Sequence, residues 1–134
     1  MSMPWSKSTG NLLEVDSVEE CNSLLQKGLV IFFKHSPTCP VSWMAHREVM
    51  RLHTEQPELP LYLVSVRRRR DVARFIEERT GVRHESPQVL VLRHGQVVGS
   101  ASHDDVTAST IKDFLGISDS GLADSALPVS GQTV

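Results

Sequence analysis

A chain of 134 residues, 40% of them apolar and 22% charged, has the length and composition of one ordinary globular domain. Its net charge of -2 excludes a general polyanion binder, and its two cysteines are too few for a disulfide framework. The longest apolar runs, LVIFF and PQVLVL, are too short to span a bilayer, and the opening MSMPWSKSTG lacks the apolar stretch of a signal peptide, so a reducing, cytoplasmic setting is expected.

Residues 1–10 read as an N-terminal extension ahead of a first short strand, LLEV, at 12–15. DSVEECNSLLQKG follows as a helix, with Ser17 and Glu20 at capping-box spacing and Gly28 as its stop. Residues 29–34 are a compact run with Val, Ile and two Phe, the pattern of a strand buried on both faces. From Pro40 to about Gln56, Val41, Ala45, Val49 and Leu52 recur at helical spacing until Pro57 and Pro60 close the helix. LYLVSV, at 61–66, is a further buried strand, and Asp71 is the expected cap of a helix that ends at Gly81. QVLVLRHGQVVGSASH holds two strands around His94-Gly95, a two-residue hairpin loop. Asp104 or Asp105 is expected to cap a last helix over 106–115.

The order β-α-β-α-β-α-β-β-α demands parallel crossovers early and an antiparallel hairpin late. The expected fold is therefore α/β, a mixed sheet of four or five strands with helices on both faces, over residues 11–116. The remainder, 117–134, is rich in Gly, Ser, Ala and Pro and reads as a disordered tail.

That topology puts Cys39, within KHSPTCPVSWMAH, at the carboxyl end of a central strand, where open α/β sheets bind ligands. Pro40 suits the first helical position because its missing N–H would go unpaired there anyway. Cys39 then sits at the N-cap, facing free backbone N–H groups and the positive end of the helix dipole, which favour a thiolate. Ser42 stands where a Cys-x-x-Cys motif has its resolving thiol. A hydroxyl can donate a hydrogen bond to a thiolate but cannot attack sulfur, so exchange at Cys39 stops at a mixed disulfide. The competing reading is a small buried hydrophobe at a helix start.

Downstream, RHESPQVLVL places Pro87 just ahead of a strand, where proline is tolerated; composition alone favours a trans bond. The two segments FKHSPTCPVS and GVRHESPQVLVLRHGQVV, with SASH after them, resemble the monothiol bacilliredoxin family of the bacillithiol system, a branch of the thioredoxin-like fold. The resemblance implies a cytoplasmic thiol-disulfide oxidoreductase that removes bacillithiol from protein cysteines. It implies Cys39 as the attacking thiol, Ser42 in the resolving position, and Pro87 as a cis-proline facing the cysteine. Ser86 would offer backbone groups to substrate, beside Pro40. Bacillithiol is the implied thiol co-substrate and bacillithiolated proteins the implied partners, with no bound cofactor. The four-arginine run and the polar tail depart from the family pattern.

Arg67 to Arg70 oppose the dipole of the helix they precede and read either as a solvated loop or as a recruiter of anions. Residues 34–93 hold 11 basic and 7 acidic side chains, 11 − 7 = +4, within an acidic whole. Bacillithiol carries a malate group, so Arg67 and Arg68 are candidate substrate contacts. No nucleic-acid role is expected of one short run without interleaved aromatics. Cys21 reads as a core thiol. The six histidines show no ligand pair at metal-binding spacing, so no metal site is expected. His35 and His84 read either as neighbours of Cys39 that tune its pKa or as surface and structural residues, and Trp43 either shapes a groove or packs. The alternatives are a non-enzymatic thioredoxin-fold interaction module and a Cys39-based peroxide reductase.

Overall fold

The structure, a computed structural model, describes residues 12–117. The expected N-terminal extension, and the tail beyond Ile117, lie outside those residues. Strand β1 (Leu13–Glu14) leads into helix α1 (Val18–Leu25), where Ser17 Oγ accepts the Glu20 N–H at 3.0 Å, as its spacing required. Strand β2 (Leu29–His35) and helix α2 (Pro40–Glu55) follow, then β3 (Leu61–Ser65) and α3 (Arg70–Thr80). The hairpin of β4 (Gln88–Arg93) and β5 (Gln96–Ser102) turns through His94 and Gly95, both at positive φ. Helix α4 (Ala108–Leu115) closes the domain.

Two caps differ from expectation. Arg69 rather than Asp71 precedes α3; Asp71 sits inside the first turn, its carboxylate accepting the Val72 N–H at 2.9 Å, so the acid still answers a free donor and the dipole. Thr107 caps α4 by accepting the Thr110 N–H at 3.1 Å, while Asp104 and Asp105 are drawn into a 3-10 turn, His103–Asp105, ahead of it. α1 ends at Leu25, three residues before Gly28.

The sheet has five strands in the order β1-β3-β2-β4-β5, with β1, β3 and β2 mutually parallel and β4 antiparallel to both its neighbours. Strand side chains alternate between faces, and this sorts the core in two. Val30, Phe32, Leu90 and Leu92 pack with α1 and α3; Ile31, Phe33, Val89 and Val91 pack with α2 and α4. Each such fully buried side chain contributes roughly 1.5–3 kcal/mol. The same alternation carried to the end of β2 sends Lys34 toward the α1/α3 layer and His35 toward the α2/α4 layer, both buried. The site is built around these two polar residues.

Candidate active site

Pro40 starts α2, and Cys39 is its N-cap in extended backbone, φ -111° and ψ 120°. The Cys39 carbonyl accepts the Ser42 and Trp43 N–H groups at 3.0 and 3.2 Å, and its own N–H donates to the Ser36 carbonyl at 3.1 Å. The loop is held from the other side by Trp43, whose Nε1–H donates to the Pro37 carbonyl at 2.8 Å. Trp43 therefore both ties the loop and stays half exposed. The Cys39 side chain makes no capping hydrogen bond and is partly exposed at the positive end of a 16-residue helix.

Ser42 does not hydrogen-bond the Cys39 sulfur. Its buried hydroxyl oxygen accepts the Ser36 N–H at 2.9 Å and lies 2.8 Å from His35 Nδ1. Those partners occupy it whichever imidazole tautomer is present. Burial first, then the nearby His46, pushes the His35 imidazole down to about 4, against the Ser42 bond that raises it. The ring is boxed by Trp43 at 4.5 Å, His46 at 5.0 Å and Phe33 at 5.5 Å between centroids. His35 thus sits at the base of the Cys39 loop as a neutral group at neutral pH.

The Ser86-Pro87 bond is cis. The antiparallel pair Lys34 with Gln88 carries Pro87 alongside the end of β2, and the Pro87 carbonyl accepts the His103 N–H at 2.9 Å. Ser86 Oγ is buried without a partner among the described residues.

Across the sheet, Lys34 Nζ lies 3.1 Å from His84 Nδ1. Burial pushes this lysine down to about 8, with Glu77, Cys21 and Glu85 acting in the opposite direction. Cys21 is fully buried in the α1/α3 layer, and burial pushes its thiol up to about 12. The sheet therefore stands between it and Cys39, which heads a helix of the opposite layer. The arginine run divides: Arg68 pairs with Glu14 at 2.6 Å and Arg69 with Asp71 at 3.7 Å, while Arg67 and Arg70 line a cavity of about 350 Å³ with Arg74, Glu77 and His84. Because β2 and β3 are parallel, that cavity and Cys39 share one edge of the sheet. Among the described residues no three His, Cys, Asp or Glu side chains are grouped to hold a metal ion, and no helix is long and apolar enough to cross a membrane.

The run LVIFFK marks the strand only to Lys34 and says nothing of this lysine's burial. The signal was the strand alternation itself, continued for two polar residues past LVIFF.

A cis-proline ahead of β4 and a cysteine capping the helix that follows β2, the strand β4 pairs with, on a sheet of this order, define a thioredoxin-fold thiol oxidoreductase. The chain belongs to the monothiol bacilliredoxin family: the family model described as monothiol bacilliredoxin BrxC matches residues 11–111. It is also similar to a solved structure described as an oxidoreductase with a thioredoxin fold, at 26% identity and TM-score 0.75, over 81% of this chain and 97% of that one. Thioredoxin from Trypanosoma brucei brucei matches at 16% identity and TM-score 0.65, over 86% and 95% of the two chains. Mitochondrial thioredoxin 3 from Saccharomyces cerevisiae matches at 14% and 0.63, over 76% and 91%; these two speak for the fold.

Proposed function

We propose that this protein removes bacillithiol from mixed disulfides on cytoplasmic protein cysteines, with Cys39 as the only exchanging thiol. The Cys39 thiolate attacks the bacillithiol sulfur; the mixed disulfide breaks, the substrate cysteine leaves as thiolate and takes up a proton, and a Cys39–bacillithiol disulfide forms. A second thiol, bacillithiol among the candidates, then attacks the bacillithiol sulfur of that disulfide as its thiolate, leaves joined to it in a new disulfide, and returns Cys39 as a thiolate. No bound cofactor is required. In this reading Pro40 sets the cysteine at the helix start, and backbone groups of Ser86 and Pro87 pair with an extended substrate segment.

One observation carries this reading: Cys39 has no second thiol to close upon. Ser42 occupies the resolving position, and Cys21 is buried in the opposite layer. Such a thiol ends each attack as a mixed disulfide.

Intact-mass spectrometry of the reduced protein after exposure to a bacillithiolated model protein tests it, with a glutathionylated donor and Cys39→Ser in parallel. The expected result is a bacillithiol-sized adduct on Cys39 and release of free model protein, with little glutathione transfer. No adduct from either donor would replace this reading with that of an interaction module.

A further inference from the structure

The cavity on the α3 side of the site carries an excess of unanswered positive charge. Arg67, Arg70 and Arg74 line it, and none has an ion pair or side-chain hydrogen bond among the described residues. Within the four-arginine run, Arg68 and Arg69 have carboxylate partners, so there the lack falls on the two that line the cavity. Its one acid is Glu77, which leaves three cations against one anion, 3 − 1 = +2. That carboxylate is already engaged, because Oε2 accepts the His84 N–H at 2.9 Å.

The lining adds a donor. A lysine ammonium has no lone pair, so at the 3.1 Å contact Lys34 donates and His84 Nδ1 accepts. The neutral His84 ring then keeps its proton on Nε2, a further donor on a side chain that lines the cavity. Like charges brought together around a concave space repel, and an anion with several oxygens relieves them through charge-assisted, forked hydrogen bonds. At about 350 Å³ the cavity lies within the roughly 300–1,000 Å³ of small-ligand pockets.

Ser65 pairs with His35, and the Val66 N–H donates to the His35 carbonyl at 3.1 Å, so the loop bearing Arg67 and the loop bearing Cys39 leave neighbouring strands, about 4.8 Å apart, at the same end.

We propose that the cavity of Arg67, Arg70, Arg74 and His84 binds the carboxylates of the small thiol carried by the substrate, holding a dicarboxylate such as the malate group of bacillithiol while its sulfur meets Cys39. This rests on the exchange reaction proposed above and gives it a specificity pocket; Arg68, paired with Glu14, lies outside it.

Malate itself is the first probe, titrated into the Cys39→Ser protein and followed by amide shifts in nuclear magnetic resonance. Saturable shifts at Arg70, Ala73 and His84, absent with the neutral diamide of malate, are expected; diffuse or missing shifts overturn the pocket. The second measurement compares the Arg67→Gln/Arg70→Gln double variant with the unaltered protein on a bacillithiolated peptide and on bis(2-hydroxyethyl) disulfide. Selectivity for the bacillithiolated substrate, as the ratio of kcat/KM values, should fall about tenfold through KM. An unchanged ratio overturns the proposal. So does a loss that follows acidic residues placed in the peptide, which would make the pocket a reader of the protein partner. Absence of any bacillithiol adduct on the unaltered protein would defeat the exchange reading alone, and the malate titration would still decide the pocket.

Discussion

His35 Nδ1 lies 2.8 Å from Ser42 Oγ, and the same oxygen accepts the Ser36 N–H at 2.9 Å. One hydroxyl thereby ties the end of β2 to the first turn of α2 across the loop that carries Cys39. Ser42 is structural before it is anything else.

Ser42→Ala leaves both partners unanswered in a buried site. A loss of about 1–3 kcal/mol in folding stability is expected, the cost of a buried donor or acceptor without a partner, read by urea denaturation. Ser42→Cys should restore a second thiol in the first turn, so that the Cys39–bacillithiol adduct gives way to an internal disulfide, lighter by the two thiol hydrogens in mass spectrometry. Persistence of the adduct in that variant would show that the serine is not what arrests exchange.

The buried His35 makes stability fall on acidification. Its folded pKa of about 4 lies below the ordinary 6.5, so between these values the unfolded chain binds the proton that the folded chain refuses. Stability is complete above pH 6.5 and declines as pH drops toward 4, by an amount on the order of 3 kcal/mol for this group. His46 and His84 are also lowered, by burial first, and add in the same direction. Denaturation midpoints measured between pH 5 and 7 should slope upward with pH, and His35→Asn should flatten that slope; an unaltered slope would remove His35 as its source.

Lys34 imposes a cost at neutral pH. Its side chain is fully buried, and burial favours the neutral amine, while the charged form is held by one bond to His84. Lys34→Met should raise stability at pH 7 by about 1–3 kcal/mol, because a buried charge exchanged for an apolar chain of similar length removes a desolvation penalty. A destabilised variant would mean that Glu77 and Glu85 more than offset that penalty.

The two thiols should react in sharply different ways. Cys21 is fully buried with its pKa pushed up to about 12, so it holds almost no thiolate at pH 8. Iodoacetamide at that pH should label Cys39 alone in the folded protein and both cysteines in urea, as peptide mapping would read. Labelling of folded Cys21 at a comparable rate would contradict its place in the core.

Much of this protein was legible in the chain because its signals are local. Strand runs such as LVIFF, the turn at His94-Gly95 and the helical spacing of Val41, Ala45, Val49 and Leu52 depend on neighbours within a few residues, and Pro40 after Cys39 marks a helix start by its missing N–H alone. The element order and the mixed sheet followed, and so did the absence of a second thiol at position 42. Tertiary structure decided what depends on contacts between distant segments. The bulge opposite Val91 and Leu92, and the seating of Phe114 on Gly99, where a Cβ would stand 2.3 Å from the ring, come from the β4–β5 pair meeting α4. The cap positions fell to Arg69, whose N–H donates to the Ser65 carbonyl at 2.7 Å, and to Thr107, whose hydroxyl accepts the Thr110 N–H at 3.1 Å. Four adjacent arginines look alike in sequence. Only the fold brought the distant Glu14 to Arg68 and set Arg67 and Arg70 around a cavity at the sheet edge that carries Cys39, because the partner of a charge is chosen by space and not by sequence separation.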